Sequence, residues 1–389
     1  MNAHEPLARV LEFGAGYAAS FAGLLMARCG AEVIKVESPE VDSLRPAPTA
    51  DAVVARQALF EYLNQGKLSV KVDLAASAAA ETLAGYWAQA DVVIIDHPWL
   101  SASPVSGLLD SPGPAGVAVI TPFGLAGPYA TTRATGATLF AMSGESSVIP
   151  GGLGYLLFPD APPLVPGAHL AEADAGVIAA NVCLAAAISG ERSSPPSLFD
   201  ISIMECETSL NRWLVSHFDA TGWVESRATR AYAYAGLVRC LDGYVMMQPT
   251  TDQHWTGLVR AMGDPAWADR PEWATQDGRT EGGAEISGRL AEWARGLTKA
   301  QLLETGLRHE VPIAPFLDVP EVVECEQFRS RCYFVACRPL GDVSDSREVP
   351  GLPFHIGPDR DQPDPVPAIR PRAPQLGEDT ERLGEPLRA

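Results

Sequence analysis

Lysine is scarce: there are four in 389 residues, and all basic side chains number 29 against 48 acidic ones, a formal charge of -19. That deficit argues against nucleic acid or an anionic membrane as a principal partner, since both are held through positive patches. The seven cysteines are scattered from Cys29 to Cys337 without a CxxC pair. They fit neither a disulfide framework nor a zinc site, so no metal is expected and the reducing cytoplasm is the expected location. The opening MNAHEPLARV lacks the basic and then apolar order of a signal peptide. The longest greasy stretch, AGVIAANVCLAAAIS from Ala175, is too short to span a bilayer and carries Asn181, so it reads as a buried helix.

What is present is the composition of a soluble enzyme, 47% hydrophobic and 20% charged, with length for about two domains. Apolar runs at Val10–Phe13, Glu32–Val36, Leu68–Val72, Val92–Ile95 and Val117–Thr121 alternate with helical patterns such as Ala75–Ala90. That order predicts an α/β fold around an open, mostly parallel sheet. From about Arg227 the texture changes to a hairpin and a helix, and Ile286–Gly306 has helical periodicity, so a smaller α+β domain is expected. The tail from Gly351 is rich in Pro, Gly and charge and reads as an extended strap. The expected division is 1–225, 226–330 and 331–389.

The stretch RVLEFGAGYAASFAGLLMARCGAEVIKVE, Arg9–Glu37, has the order strand, G-x-G-x-x-A, helix, strand, acid. Glycines there let backbone approach a pyrophosphate at a helix N-terminus, which points to NAD. VLEFGAG also resembles the first motif of S-adenosylmethionine-dependent methyltransferases. A plain tight turn at Gly14 and Gly16 explains the pattern equally well.

The segments FAGLLMARCGAEVIKVESPEVDSLR, LNQGKLSVKVDL, TPFGLAGPYA, FAMSG, PPLVPGAHLAEADAG and FDISIMECETSL follow one another. So do CLDGYVMMQPTTDQHWTGLVRAMGDPAW, VPIAPFLDVPEVVE and RAPQLGEDTERL nearer the C-terminus. In this order they resemble the class III coenzyme A-transferases, the formyl-CoA transferase and L-carnitine CoA-transferase type, a superfamily shared with α-methylacyl-CoA racemase. The resemblance covers nearly the whole chain. It implies a large Rossmann-like domain built from both ends, a smaller domain, and an interlocked homodimer. Coenzyme A as a substrate, not NAD, would lie beside Gly14, Ala15, Gly16 and Tyr17, with Lys35, Lys67, Asp96 and His97 in the same region.

The family's reaction uses one carboxylate as nucleophile against an acyl-CoA thioester, giving a mixed anhydride and then an enzyme–CoA thioester that an acceptor carboxylic acid resolves. The family motif A-D-x-x-A-G becomes LAEADAG, which places Glu172 at the Asp position, four residues before Gly176. Glu172 is read as that nucleophile, as an acid/base group of a related reaction, or as a first-turn acid favoured by the helix dipole. Asp174 suits the last role better, and His169 stands where it could orient Glu172. Because Glu reaches roughly 1 Å further than Asp, a site that uses it must have been refitted.

Other positions depart from the family as well. NRGKRS becomes NQGKLS, leaving Lys67 but losing two arginines at Gln65 and Leu68; Ser38 and the IDHP of Ile95–Pro98 also replace arginine-bearing motifs. Coenzyme A phosphates favour arginine forks, so anchoring is weakened. The His-Asp pair of the racemases is replaced by Thr135 and Gly136, which argues against that branch. Two functions remain: a CoA-transferase using Glu172, or the non-catalytic subunit of a heteromeric one. Trp213, Trp223 and Tyr234 could line an acid pocket, although aromatics after a core helix more often pack.

Overall fold

Each of the five apolar runs forms a strand. In the computed structural model, which describes residues 6–38, 41, 44–45, 53–102, 104–149, 155, 158–167, 169–210, 212–229, 234–340, 346–355 and 370–384, the chain divides into two units. The larger comprises residues 1–143, 166–210 and 327–389, and the smaller 144–165 and 211–326. The boundaries thus differ from those expected at 225 and 330, and residues 144–165 fall in the smaller unit.

In the larger unit, β1 (Arg9–Phe13), β2 (Glu32–Glu37), β3 (Leu68–Lys71), β4 (Val92–Asp96), β5 (Gly116–Thr121) and β6 (Ser197–Ser202) form one parallel sheet in the order β3-β2-β1-β4-β5-β6. This is the strand order of a Rossmann sheet. Parallel strands are covered on both faces, so successive residues serve opposite cores. Val10, Val92, Ile94 and Ile120 pack with helices α1 (Tyr17–Arg28) and α6 (Leu170–Ser189). Leu11, Phe13, Val93 and Ile95 pack with Leu83 and Trp87 of α3 (Ala79–Gln89) on the other face. The remaining helices of this part are α2 (Val53–Leu63), α4 (His97–Leu100), α5 (Gly136–Met142) and α7 (Ile203–Leu210). Sequence patterning misses β6 because SLFDIS, at the sheet edge, is mostly unburied and carries no continuous apolar run.

Helix α6 corrects a second expectation. It has twenty residues, long and apolar enough by composition to cross a bilayer, yet it starts with Glu172 and Asp174 and buries only one face. Ala171, Ala175, Gly176, Ala179 and Cys183 face the core, while Val177 and Ile188 are exposed, Ile188 at 73%. Alanine on both faces hides this from a reading of hydrophobicity alone. At Gly176 a Cβ would come 2.8 Å from the Ala18 carbonyl oxygen, so glycine there permits the backbones of α6 and α1 to approach closely.

The tail returns to this unit where it is described. Asp379 pairs with Ser69 in both directions, N–H to carbonyl at 2.9 Å and carboxylate to N–H at 3.0 Å, and Thr380 accepts from Lys71 N–H at 2.9 Å. These bonds cover the outer edge of β3. Residues 356–369 and 385–389 of the expected strap lie outside the described residues.

The smaller unit contains an antiparallel sheet of Gly236–Cys240, Gly243–Met247 and Ile313–Pro315. The hairpin and the helix after it, Asp252–Ala261, follow the sequence reading. The periodic stretch Ile286–Gly306 is two helices, Gly283–Ala294 and Lys299–His309, the second started by a capping box of Thr298 and Gln301. Tyr234 is not in a pocket: it is buried in this core and donates its hydroxyl to the Pro249 carbonyl at 3.0 Å.

Candidate active site

The sheet's strand order reverses between β1 and β4, where Rossmann-type sheets hold their ligands at the carboxyl ends of the strands. The turn Gly14–Gly16 after β1 lies there. Asp96 ends β4, and its Oδ2 accepts from the N–H groups of Ala15 and Gly16, each at 2.6 Å. Burial pushes the Asp96 carboxyl up to about 7, against the opposing pull of those N–H groups and of Lys35. The donors that a pyrophosphate would need at the start of α1 are therefore held by the protein's own carboxylate. That geometry removes the physical basis of the NAD reading and gives Asp96 the role of capping α1.

Tyr17, the first residue of α1, connects this turn to α6. Its ring stacks on His169 with centroids 4.8 Å apart and planes 14° from parallel. His169 is the N-cap of α6 in the left-handed conformation, φ 63°, and its Nδ1 lies 3.6 Å from Glu172 Oε1. Burial, then Tyr62, then Glu172 push the Tyr17 hydroxyl up to about 12, so it stays protonated at any working pH.

Glu172 sits in the first turn of α6, and its Oε1 accepts the N–H of Gly136 at 3.1 Å. Gly136 opens α5, whose N-cap Thr135 forms a capping box with Thr138. The carboxylate thus lies at the positive ends of two helices. A Cβ at position 136 would fall 2.0 Å from Glu172 Oε2, so a larger residue there would force the Glu172 carboxylate out of this position. That same Oε2 has no hydrogen-bond donor among the described residues. Glu172 lines a cavity of about 230 Å³ with Gly136, Ala137, Phe140, His169 and Leu170. Asp174 does not line that cavity; its charge acts on Cys206, whose thiol is pushed up to about 11 by burial, then Glu207, Glu205 and Asp174.

A second cavity, about 470 Å³, opens beyond the ends of β4 and β5, between Val41, His97, Ser101, Pro122 and Arg133. His97 was expected near the coenzyme. Arg133 was not singled out; its one signal in the sequence is a cation closing the glycine- and proline-bearing loop TPFGLAGPYATTR.

The sequence matches CoA-transferase family III over residues 8–100 and 117–380. The chain belongs to that family. Its relatives include succinyl-CoA–D-citramalate CoA-transferase of Chloroflexus aurantiacus, 27% identical over 88% of this chain and 86% of the relative. Formyl-CoA:oxalate CoA-transferase of Streptomyces avermitilis is 26% identical over 81% of each. The BbsE subunit of succinyl-CoA:(R)-benzylsuccinate CoA-transferase from Thauera aromatica is 28% identical over 96% of this chain and 90% of its own. The crystal structure of a CAIB/BAIF family protein from Brucella suis superimposes with a TM-score of 0.77 at 22% identity, over 97% of this chain and 98% of that one, which shows the shared fold. The chain is a CoA-transferase, an enzyme class that transfers coenzyme A between an acyl-CoA and a carboxylic acid.

In this CoA-transferase the two lysines expected at the coenzyme's phosphates have another place. Lys35 and Lys67 are fully buried, and both pair with Glu12 of β1, at 3.2 Å and 2.6 Å. Lys67 also donates to the Ser20 carbonyl at 2.8 Å and to Asn64 at 3.0 Å, and Lys35 donates to the Gly14 carbonyl. Meeting a phosphate would require breaking a buried ion cluster, so their charges brace the Gly14 turn from beneath. Gln65, which replaces a family arginine, is likewise internal: it accepts from Arg28 at 3.1 Å and donates to the Ala336 carbonyl at 2.7 Å. Among the described residues no cluster of His, Cys, Asp and Glu could hold a metal.

Proposed function

We propose that this CoA-transferase works through Glu172 as nucleophile. The carboxylate attacks the thioester carbonyl of an acyl-CoA and expels the thiolate, leaving a mixed anhydride of Glu172 and the acyl group. The thiolate then attacks the Glu172 carbonyl, the acyl group departs as a free carboxylate, and Glu172 carries coenzyme A as a thioester. An acceptor carboxylate reverses both steps and leaves as the new acyl-CoA. The observation that carries this reading is the Glu172 carboxylate itself, lining a cavity with one oxygen held by Gly136 N–H and the other unpartnered. A desolvated, half-paired carboxylate is a stronger nucleophile than a hydrated one. His169 makes no side-chain cap, so its side chain takes none of the N–H groups that open α6, and donors of that kind suit the oxygen that turns anionic during attack.

Coenzyme A is assigned to the cavity of His97 and Arg133 and to the approach past Gly14, Ala15, Gly16 and Tyr17. The Arg133 guanidinium is the cation best suited there to a phosphate. A homodimer is favoured by the apolar residues left exposed: Val177 and Ile188 on α6 in one unit, and Trp213, Val215 and Phe218 on the helix Arg212–Thr221 in the other. Cys29, Cys183, Cys206, Cys240, Cys325, Cys332 and Cys337 are all free thiols, which suits the cytoplasm.

Relatives named as subunits, the BbsE chain and the alpha subunit of a succinyl-CoA–L-malate CoA-transferase, favour a second reading in which the chain works beside a related subunit. Exchange of labelled coenzyme A between acyl-CoA and free acid by the purified chain alone decides between them. Exchange by the lone chain supports the homodimer, and exchange only with an added subunit supports the heteromer.

A further inference from the structure

His169 keeps a side chain where the backbone favours none. Its φ of 63° is in the left-handed region, which glycine adopts freely and other residues avoid. A side chain kept at such a position is held by its contacts. The imidazole stacks on the Tyr17 ring, centroids 4.8 Å apart and planes 14° from parallel, and its Nδ1 lies 3.6 Å from Glu172 Oε1. That second distance is beyond a hydrogen bond but within the attraction between a carboxylate and an imidazole N–H.

Tyr17 is placed to hold the imidazole still. It opens α1 directly after Ala15 and Gly16, whose N–H groups Asp96 fixes. One turn further along α1, Phe21 packs on the Tyr17 ring with centroids 5.6 Å apart, and its own ring lies 3.1 Å from where a Cβ at Gly176 would stand. Helices α1 and α6 are thus tied at two points, the close approach at Gly176 and the Tyr17–His169 stack. Glutamate needs such support, because ordering its long side chain costs more rotamer entropy than ordering a short one. The Gly136 N–H restrains Oε1 at 3.1 Å and His169 stands at the same oxygen, which leaves Oε2 as the oxygen that attacks.

We infer that Tyr17 is a positioning residue for the transfer, whose ring holds the His169 imidazole so that Glu172 keeps its attacking posture. The inference rests on Glu172 being the nucleophile and adds a residue that acts on it through another.

Leucine is bulky and apolar but cannot stack. The test uses the full-length enzyme, in whichever assembly supports exchange, and the fastest donor among acetyl-, butyryl- and succinyl-CoA. Tyr17→Leu should lower kcat about 10- to 100-fold, the effect of loosening a reacting group by up to roughly 1 Å. Coenzyme A affinity in calorimetry should change less than about threefold, since the loss lies in the chemical step. Tyr17→Phe, which restores the ring, should recover kcat. In a His169→Ala background, Tyr17→Leu should cost less than about threefold further, because the group it acts through is gone. Independent, multiplying losses in that cycle, failure of Tyr17→Phe to recover kcat, or lost coenzyme A affinity with kcat intact would overturn the inference and leave the nucleophile in place. If wild-type enzyme yields neither exchange nor a hydroxylamine-sensitive adduct on Glu172 with any of the three donors, the reading of Glu172 falls, and this inference with it.

Discussion

Gly136 and Glu172 fit one another: the N–H of the first is 3.1 Å from Oε1 of the second, and a methyl group added to the first would sit 2.0 Å from Oε2. The resemblance places Asp at the position of Glu172 and, in the racemase branch, an acidic side chain at that of Gly136. The extra methylene of Glu172 carries its carboxylate into space that a side chain at 136 would fill.

This coupling is testable by a double-mutant cycle. Gly136→Ala should lower kcat by about 100-fold, the effect of displacing a reacting group by roughly 1 Å. Combined with Glu172→Asp, whose shorter side chain no longer meets the added methyl, the same substitution should cost far less. Additive losses in the cycle would show that the two positions do not share space.

Glu172→Gln keeps the shape and removes the attacking charge, so transfer should fall to background. Glu172→Asp should lose about 100-fold through withdrawal of the carboxylate from Gly136. Asp174→Asn, outside the lining of the Glu172 cavity, should change kcat less than about threefold. Initial rates of labelled coenzyme A exchange measure all three.

Much of this was legible in the sequence. Five strands announce themselves because each centres on apolar residues that the sheet buries, and β6 escapes notice because SLFDIS is mostly unburied and carries no continuous apolar run. Glu172 and His169 are readable from one short motif, since both lie within one helical turn. Gly136 is 36 residues from Glu172, and only the fold can bring them together. Lys35 and Lys67 mislead for the same reason: a lysine beside a glycine-rich turn looks like a phosphate anchor until Glu12, on the strand beneath, is seen to hold it.

The two kinds of cation should separate by measurement. Arg133→Ala should weaken coenzyme A binding in calorimetry about 10-fold, the loss of one charge-assisted contact of roughly 1.5 kcal/mol. Lys67→Met should leave that affinity within about twofold. Glu12→Gln, which removes the carboxylate that two buried ammonium groups share, should lower unfolding stability by about 3–5 kcal/mol in denaturant titration. Coenzyme A binding lost in folded Lys67→Met but unchanged in Arg133→Ala would reverse the assignment.

Asp96 sets a pH dependence of stability. Its carboxyl is raised from 3.8 to about 7 by burial, so between those values the folded chain holds a proton that the unfolded chain has released. The contribution of this group is therefore full below pH 3.8 and is lost as pH rises toward 7, at up to about 1.4 kcal/mol per pH unit. Asp96→Asn has no such proton. Its Tm relative to wild type should climb as pH rises from 3.8 to about 7 and then level off. Parallel melting curves across the range would show that Asp96 is not buried as a titrating group.

The central claim, that coenzyme A is carried on Glu172, is tested most directly by trapping. Wild-type enzyme is incubated with a reactive acyl-CoA and no acceptor, treated with hydroxylamine, digested and mapped by mass spectrometry. A glutamyl–CoA thioester is cleaved to a hydroxamate, so the account predicts a hydroxamate on Glu172 alone, absent without acyl-CoA and absent in Glu172→Gln. A wild-type enzyme that transfers coenzyme A while bearing the hydroxamate on another carboxylate, or on none, would contradict it.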